Sequence, residues 1–371
     1  MTLSQLICDL PDKDLWQYLK EASKPIIMYG MGNGADKIIE RLDAFGVAVD
    51  DFFASDGFVR GQYFHGKKVL SLADIKEKYD DFIILVSFGS EREDVVGTIA
   101  RLASEYELYL PDVPVAGEGV FDRAYFDKNI DAIKAAYGLL ADELSREVYC
   151  DVLAYKLTGK IEYLLEHTQS DIDVYKTVFD TQKWTRTADL GAYNGESAAF
   201  LAGIEPGVRQ IIALEPDRKN FSKFLRTAEM LECDIEAHNV CAWSEKTTLY
   251  FDRGGNRNSS VSTIGHTASV GDTKKVPVDA ETLDNIICGR QTDFIKYDVE
   301  GSELEALKGS VRTIEASKPD MLVSGYHRNE DIFALTLELH RLLPEHKLYI
   351  RRKRCLPAWE ISICAVKDRI N

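Results

Sequence analysis

The feature that most constrains this chain is a strand, a glycine turn and a helix in mid-sequence, followed by a strand that ends on an acid. The first strand, at 188–190, leads into the turn at 191–195, and the second, at 210–214, ends at Glu215. Glycines in such a turn let the backbone approach a ligand, and the acid can accept hydrogen bonds from both hydroxyls of a ribose. This order predicts an α/β fold that holds an adenosine-bearing cofactor.

The turn differs from that of dinucleotide-binding proteins. Asn194 and Gly195 occupy the positions where a G-x-G-x-x-G pattern places its last glycines, and Asp189 stands just before the turn. These differences favour S-adenosylmethionine over NAD as the cofactor. An ordinary tight turn is the structural alternative for Gly191 and Gly195, and Asn194 tolerates left-handed backbone geometry.

Composition narrows the class of protein. The 371 residues are enough for two domains, and 45% hydrophobic with 29% charged residues is typical of a soluble globular protein. The sequence predicts neither a membrane span nor a signal peptide. Seven cysteines without C-x-x-C spacing favour reduced thiols in a cytosolic protein and argue against a cysteine metal site. The net charge of -16 argues against duplex nucleic acid as the main partner, although a local basic patch would escape that argument.

Residues 1–115 are predicted to form a smaller Rossmann-like domain. Strands are expected at 25–29, 49–54 and 82–86, and the first ends in a turn that carries Gly30, Gly32 and Gly34. These glycines fit a pyrophosphate at the start of the next helix, with Asp56 as the acid for a ribose. The alternative is a scaffold that binds no nucleotide or that mediates assembly into a homo-oligomer.

Residues 116–183 and 184–371 are predicted to be a helical connector and a second α/β domain. Apolar residues recur at helical spacing without proline from about 121 to 183, and strands then alternate with helices. The last two strands flank a short basic turn and predict an antiparallel hairpin. We expect a Rossmann-like, doubly wound sheet of seven strands with one antiparallel strand at the edge. Its strands are predicted at 188–190, 210–214, 235–242, 294–297, 321–323, 347–350 and 360–366.

The residues from about 187 to 366 resemble the FkbM-type S-adenosylmethionine-dependent methyltransferases. The turn that begins at Asp189 resembles the first cofactor loop of that family, and Leu214-Glu215-Pro216-Asp217 resembles its ribose-binding turn. The string Asp298-Val299-Glu300-Gly301-Ser302-Glu303, placed after a strand, resembles the most specific motif of the family. The resemblance implies a class I methyltransferase sheet and methyl transfer to a small-molecule or glycan acceptor. The N-terminal domain is similar, more loosely, to a domain of bacterial sugar-modifying enzymes, which associates the chain with glycan biosynthesis.

Cofactor binding is assigned to the ends of the first three strands of the second domain. Two roles are open for Cys241 and Trp243, because contact with the adenine and packing in the core explain them equally well. The predicted cofactor-binding residues are Asp189, Gly191, Ala192, Tyr193, Asn194, Gly195, Glu215, Pro216, Ala242 and Trp243.

Asp298, Glu300 and His327 are the candidate catalytic residues, for acceptor positioning and proton removal. Asp298 ends an apolar strand, where a charge is costly unless it is paired or used. His327 follows the strand at 321–323, and an ordinary imidazole pKa suits proton abstraction near neutrality. A structural histidine and an acid at a helix start are the alternatives for His327 and Glu300, and the helix start is the favoured explanation for Glu303. No metal ligand is predicted, because no histidine joins these carboxylates in sequence.

The remaining motifs concern the acceptor. The basic run 351–354 is interpreted as a clamp for an anionic substrate or as a solvated turn, and residues 259–262 and 266–275 are expected to shape the acceptor pocket. The sequence thus predicts a cytosolic O-methyltransferase for a sugar or related polar metabolite. A nicotinamide-dependent sugar oxidoreductase that uses the N-terminal domain is one alternative, although no Tyr-x-x-x-Lys pair of the short-chain type lies in a suitable helix. A non-catalytic nucleotide-binding scaffold is the other, although the acids Asp189, Glu215 and Asp298 are intact.

Overall fold

A computed structural model describes residues 2–204, 207–252 and 275–367. Of the segments 259–262 and 266–275, which the sequence assigns to the acceptor pocket, every residue except the last lies outside these ranges.

The N-terminal part of the chain forms a small parallel sheet. The strands of this part of the chain are β1 (Ile26–Tyr29), β2 (Asp51–Phe53), β3 (Tyr63–Phe64), β4 (Lys67–Lys68), β5 (Ile83–Val86) and β6 (Glu107–Tyr109). Its helices are α1 (Leu3–Asp9), α2 (Leu15–Glu21), α3 (Asn33–Ala44), α4 (Leu72–Lys78) and α5 (Glu93–Glu105). The strand order is β2-β1-β5-β6, all parallel, and β3 and β4 form a separate antiparallel pair. The three predicted strands are present, and β6 is too short to have shown an apolar pattern.

The stretch predicted to be helical consists of several short helices. They are α6 (Arg123–Lys128), α7 (Ile130–Gly138), α8 (Glu143–Thr158) and α9 (Asp171–Val178), with 3-10 turns at Ile161–Leu164 and Thr181–Lys183. Side-chain oxygens of Asp122, Asp142 and Ser170 cap the first turns of α6, α8 and α9. The left-handed Gly159, with φ of 64°, ends α8.

The rest of the chain builds the seven-stranded sheet that the sequence predicts. The strands from here on are β7 (Arg186–Leu190), β8 (Gln210–Leu214), β9 (Asp234–His238), β10 (Cys241–Ala242), β11 (Thr247–Asp252), β12 (Lys275–Glu281), β13 (Phe294–Tyr297), β14 (Asp320–Ser324), β15 (His346–Arg352) and β16 (Ile361–Lys367). The helices are α10 (Glu196–Ile204), α11 (Arg218–Ala228), α12 (Leu283–Ile287), α13 (Glu303–Lys308), α14 (Val311–Ser317) and α15 (Asp331–Leu342). The large sheet has the order β15-β16-β14-β13-β7-β8-β9.

One strand of the large sheet is reversed, as expected. It is β16, which pairs antiparallel with both β14 and β15. The reversed strand therefore lies one place in from the edge, and β15 closes the edge. Helix α8 packs against β15, and α7 packs against α15, so the helical segment contacts the large sheet and its covering helix.

The predicted strand at 235–242 is divided between two sheets. Its first part is β9, whereas β10 pairs with β12 in a three-stranded sheet with β11. The side-chain amide of Asn239 donates to the carbonyl oxygens of Glu215 and Pro216, at 2.8 and 3.1 Å. This side chain holds the connection against the end of β8, and the chain leaves the large sheet there.

A single buried apolar cluster reaches from the small sheet to the large one. It contains Ile27 and Val86 from the small sheet, Tyr155 from α8, and Leu190 and Ile295 from the large sheet. All seven cysteines are free thiols. Within the described ranges, none of the helices combines the length and the apolar character that crossing a membrane requires. The domain boundaries at 115 and 183 stay predictions.

Candidate functional site

The carboxyl ends of β7 and β13 meet closely behind the glycine turn. The two strands pair in parallel, with Asp189 opposite Lys296. Gly191 follows β7 with φ of 86°, and a Cβ placed on it would come within 1.8 Å of the carbonyl oxygen of Asp298. Only glycine fits this position, because a side chain would collide with the backbone of the next strand.

The rest of the turn packs against Thr227 of α11. Gly195 has φ of 92°, and a Cβ on it would lie 2.8 Å from Thr227 in α11. The hydroxyl of Thr227 donates to the carbonyl oxygen of Asn194 at 2.8 Å. Ala192 is fully buried, and Tyr193 adopts a left-handed backbone with φ of 49°. These contacts together define the conformation of the turn.

Glu215 lies buried beside this turn. Its carboxylate accepts the backbone N–H of Tyr193 at 2.9 Å and that of Asp217 at 2.8 Å. Burial raises the pKa of Glu215 to about 7, although the two backbone hydrogen bonds act in the opposite direction. A carboxylate has about four acceptor sites, so these two bonds leave room for hydroxyl donors.

Lys296 connects two of the predicted acids, and sequence reasoning missed it. Its Nζ lies 3.5 Å from Asp189 Oδ1 and 3.4 Å from Asp298 Oδ2. Asp189 is fully buried and also accepts a hydrogen bond from the hydroxyl of Ser197. Burial by itself lowers the pKa of Lys296, but the two carboxylates outweigh it and raise that pKa. A lysine inside the apolar strand β13 was the available signal.

The predicted catalytic residues come together around His327. Its Nε2 lies 3.7 Å from Asp298 Oδ1 and 3.7 Å from Glu300 Oε2. On the other side of the ring, Nδ1 lies 2.9 Å from Glu303 Oε1, although the contact is not aligned as a hydrogen bond. Glu303 begins α13, as the helix-start explanation requires, but it is also buried against the imidazole. Glu300 has a left-handed backbone with φ of 54°, a conformation that occurs mostly where function or packing demands it.

Charge is distributed unevenly over this cluster. Burial by itself lowers the pKa of His327, but the surrounding carboxylates outweigh it and raise the pKa to about 10. These carboxylates thus shift the pKa of His327 away from the ordinary imidazole value, and its role as a base stays a prediction. Burial raises the pKa of Glu300 to about 7. Burial also acts to raise the pKa of Asp298, but Lys296 and His327 reverse the effect and hold the pKa below its usual value.

Comparison with known proteins identifies the part of the chain that carries this site. Residues 189–350 match the family model described as the methyltransferase FkbM domain. The chain is thus similar to the methyltransferase FkbM domain over fewer than half of its 371 residues. A search of the curated proteins finds no match.

A solved structure of a similar protein supports the fold. Methyltransferase FkbM from Methylobacillus flagellatus KT is 21% identical, with a TM-score of 0.70, over 98% of this chain and 96% of that chain. Aeropyrum pernix fibrillarin, solved with natively bound S-adenosyl-L-methionine, is 13% identical, with a TM-score of 0.31, over 50% of this chain and 68% of that chain. The first comparison shows a shared fold along nearly the whole chain, and the second is too distant to support an argument.

Ala242 ends β10, and Trp243 follows it, both within the residues that match the FkbM model. Ala242 is buried, and Trp243 packs against the small apolar cluster of Cys241, Leu249 and Ala280. The backbone N–H of Trp243 donates to the carbonyl oxygen of Glu281 at 3.0 Å. These contacts are those of core packing, and a role in adenine binding stays a prediction.

The basic run 351–354, just after the matched residues 189–350, is neither solvated nor open to a substrate at its first two residues. Arg351 binds Asp142 and Ser145 in the helical segment. Arg352 is 1% exposed and donates to the carbonyl oxygens of Leu164 and Glu166, both at 2.9 Å. The solvated-turn interpretation is therefore wrong for these two residues, and both are occupied in tying β15 to the preceding helices.

The N-terminal glycines have a packing explanation. A Cβ on Gly34 would lie 2.1 Å from the carbonyl oxygen of Ser87, and one on Gly30 would lie 2.6 Å from its hydroxyl oxygen. Gly32 precedes α3 with φ of 108° and open space around it, and Asp56 is exposed. Nucleotide binding and a scaffold role both stay open for this part of the chain.

Proposed function

We propose that the chain is an S-adenosylmethionine-dependent methyltransferase that methylates an oxygen of a sugar or a related polar metabolite. The observation that supports this most is the close approach of the glycine turn to the end of β13. It brings Gly191, Asp189 and Asp298 to one edge of the sheet, where ligands of open α/β sheets bind.

The cofactor-binding side is formed by the ends of β7 and β8. Glu215 is placed to accept the ribose hydroxyls, since its two backbone hydrogen bonds fix the carboxylate but do not saturate it. Asp189 is placed to orient the methionine part of the cofactor, directly or through water. Pro216 and the Ala242–Trp243 pair would border the nucleoside.

The acceptor side is formed by the ends of β13 and β14. S-adenosylmethionine, when bound, supplies a methyl group on a positively charged sulfur. Holding the acceptor oxygen in line with that group removes roughly 7–11 kcal/mol of the barrier. Asp298 orients the acceptor, and Glu300, whose side chain is 44% exposed, is the group that can reach the proton as it leaves. The proton would move from the acceptor hydroxyl to a carboxylate oxygen of Glu300 as the new O–C bond forms and the sulfur–methyl bond breaks, with S-adenosylhomocysteine as the leaving group.

The wall of this side comes partly from the N-terminal half of the chain. The backbone N–H of Ala116 donates to the carbonyl oxygen of His327 at 2.8 Å. A Cβ on Gly301 would come within 2.4 Å of the Cβ of Ala116. Lys37 of α3 donates to the carbonyl oxygen of Val115 at 3.1 Å. A polar acceptor is therefore expected to contact both the FkbM domain and the segment around Ala116.

Isothermal titration with S-adenosylhomocysteine and, separately, with NAD tests the proposal. Micromolar binding of S-adenosylhomocysteine that is lost in Asp189→Ala, but kept in the exposed-acid control Asp80→Ala, would support it. Binding of NAD alone would contradict it and move the chemistry to the N-terminal sheet. Transfer of a radiolabelled methyl group from S-adenosylmethionine to a panel of sugars and nucleotide sugars then tests the acceptor class.

A further inference from the structure

His327 is a buried histidine surrounded by acids. Its side chain is 1% exposed, and oxygens of Asp298, Glu300 and Glu303 lie within 3.7 Å of its ring nitrogens. Asp331 at the start of α15 is also buried next to this group. Lys296 supplies a positive charge next to this group, since its ammonium group lies 3.4 Å from Asp298 Oδ2. The acids therefore outnumber the basic groups around the ring.

Three buried atoms of His327 and Glu303 have no hydrogen-bond partner among the described residues, namely both ring nitrogens of His327 and Oε2 of Glu303, and both side chains are 1% exposed. Nδ1 already lies 2.9 Å from Glu303 Oε1, which leaves Nε2 of His327 and Oε2 of Glu303 as the two atoms in need of a ligand. The nearest carboxylate oxygens to Nε2 lie at 3.7 Å, which is too long for a hydrogen bond. A buried polar atom without a partner is costly, so a ligand that satisfies both atoms would stabilise the cluster.

The spacing of these atoms fits one small cation. Ligand atoms of Asp298, Glu303 and His327 lie within 4.8 Å of one another. Metal–nitrogen and metal–oxygen bonds of about 2.1 Å place two ligands of one ion at most about 4.2 Å apart. The 3.7 Å separation of His327 Nε2 and Asp298 Oδ1 is inside this limit, and the widest separation needs to close by roughly half an ångström.

We propose that Asp298, Glu303 and His327 bind one divalent transition-metal ion. One imidazole nitrogen with two carboxylate oxygens suits Mn²⁺ or Zn²⁺ better than Mg²⁺ or Ca²⁺, which prefer oxygen alone. Asp298 is 33% exposed, so the open positions of the ion face the acceptor side. The ligand expected there is a polar acceptor that offers one or two hydroxyl oxygens. Ion binding itself does not depend on the methyltransferase proposal.

Titration of the metal-free full chain with Mn²⁺ tests this site. We expect one equivalent to bind, with a ¹⁴N coupling from the imidazole in the pulsed electron paramagnetic resonance spectrum. His327→Gln is expected to lose that coupling and to bind at least about tenfold more weakly, as loss of a ligand does. Asp298→Asn, at a partly exposed position, tests the Mn²⁺ affinity in the same way if His327→Gln does not fold.

His167→Gln is the matched control. His167 also lies between two carboxylates, with Asp151 at 2.7 Å and Glu147 at 3.4 Å from its nitrogens, but each nitrogen contacts one of them. Unchanged Mn²⁺ binding in this variant supports the site at His327. Absence of binding in the wild-type chain would overturn the proposal. So would Mn²⁺ binding in both His327→Gln and Asp298→Asn that is as tight as in the wild type. Titration with S-adenosylhomocysteine in the presence of a chelator reports on the cofactor site separately, so failure of one proposal is distinguished from failure of the other.

Discussion

Gly191 and Asp298 are separated by less space than a methyl group needs. A Cβ on Gly191 would lie 1.8 Å from the carbonyl oxygen of Asp298 and 2.8 Å from its carbonyl carbon. The backbone N–H of Asp298 donates to the carbonyl oxygen of Leu190 at 2.9 Å, which fixes the two segments side by side. The cofactor turn and the start of the acceptor side are therefore one rigid unit.

Gly191→Ala is expected to destabilise the chain by about 2–4 kcal/mol, through positive φ and overpacking together. It should also weaken S-adenosylhomocysteine binding at least about tenfold, because the turn must move away from β13. Thermal unfolding and isothermal titration measure the two effects. Gly97→Ala, in open space inside α5, is the control. It should raise the free energy of unfolding by roughly 0.5–1 kcal/mol. A Gly191→Ala protein that melts and binds like the wild type would show that the two segments are not held together.

Lys296→Met is expected to lower the free energy of unfolding by roughly 3 kcal/mol or more. The substitution leaves the buried Asp189 and Asp298 at the end of β13 without their shared cation. Chemical denaturation at neutral pH and low salt measures this. Lys183→Met is the control, since Lys183 pairs with Asp180 at 2.8 Å but is 73% exposed and should change stability by less than about 1 kcal/mol. Equal effects of the two substitutions would mean that Lys296 does not neutralise the site.

Cofactor affinity should depend on pH through Glu215. Burial raises the pKa of this acid to about 7, and the ionised form is the better acceptor for ribose hydroxyls. Below pH 7 the bound proton competes with the cofactor, so affinity for S-adenosylhomocysteine should rise roughly tenfold from pH 6 to pH 8 and level off above it. Isothermal titration across this range measures the change. Glu215→Gln should bind weakly and without this pH dependence, and a pH-independent wild type would contradict the assignment.

Much of the fold was predictable because local sequence patterns indicate its strands, turns and helices. Apolar strands, glycine turns and helical spacing repeat through the second half of the chain, and the basic turn before β16 marks the reversed strand. The split of the strand at 235–242 was not predictable, because it depends on the Asn239 amide meeting carbonyl oxygens of Glu215 and Pro216 at the end of another strand. Contacts that fold topology creates leave no local signal.

The candidate site was predictable to the same extent. Residues at strand ends, such as Asp189 and Asp298, could be found because position alone marks them. Lys296 could not, since its partner Asp189 is 107 residues away and meets it only through strand register. The contact between Glu303 and His327 could not be predicted either. The position of Glu303 at a helix start was a sufficient explanation for that acid, and the contact forms only because β14 pairs beside β13.

Asp298→Asn is expected to lower methyl transfer at least about 100-fold while the chain stays folded, because the carboxylate faces the acceptor side and the substitution keeps its shape. The matched control is Asp293→Asn, an acid just before the other end of β13. Asp293 accepts the backbone N–H groups of Thr185 and Arg186, both at 2.9 Å, so its loss should lower stability and leave the rate per folded molecule unchanged. Single-turnover transfer from radiolabelled S-adenosylmethionine, normalised to the folded fraction from circular dichroism, separates the two effects. Retained transfer in Asp298→Asn would remove this residue from the mechanism, whereas a loss in both variants would show that β13 as a whole, and not its carboxylate, is what the reaction needs.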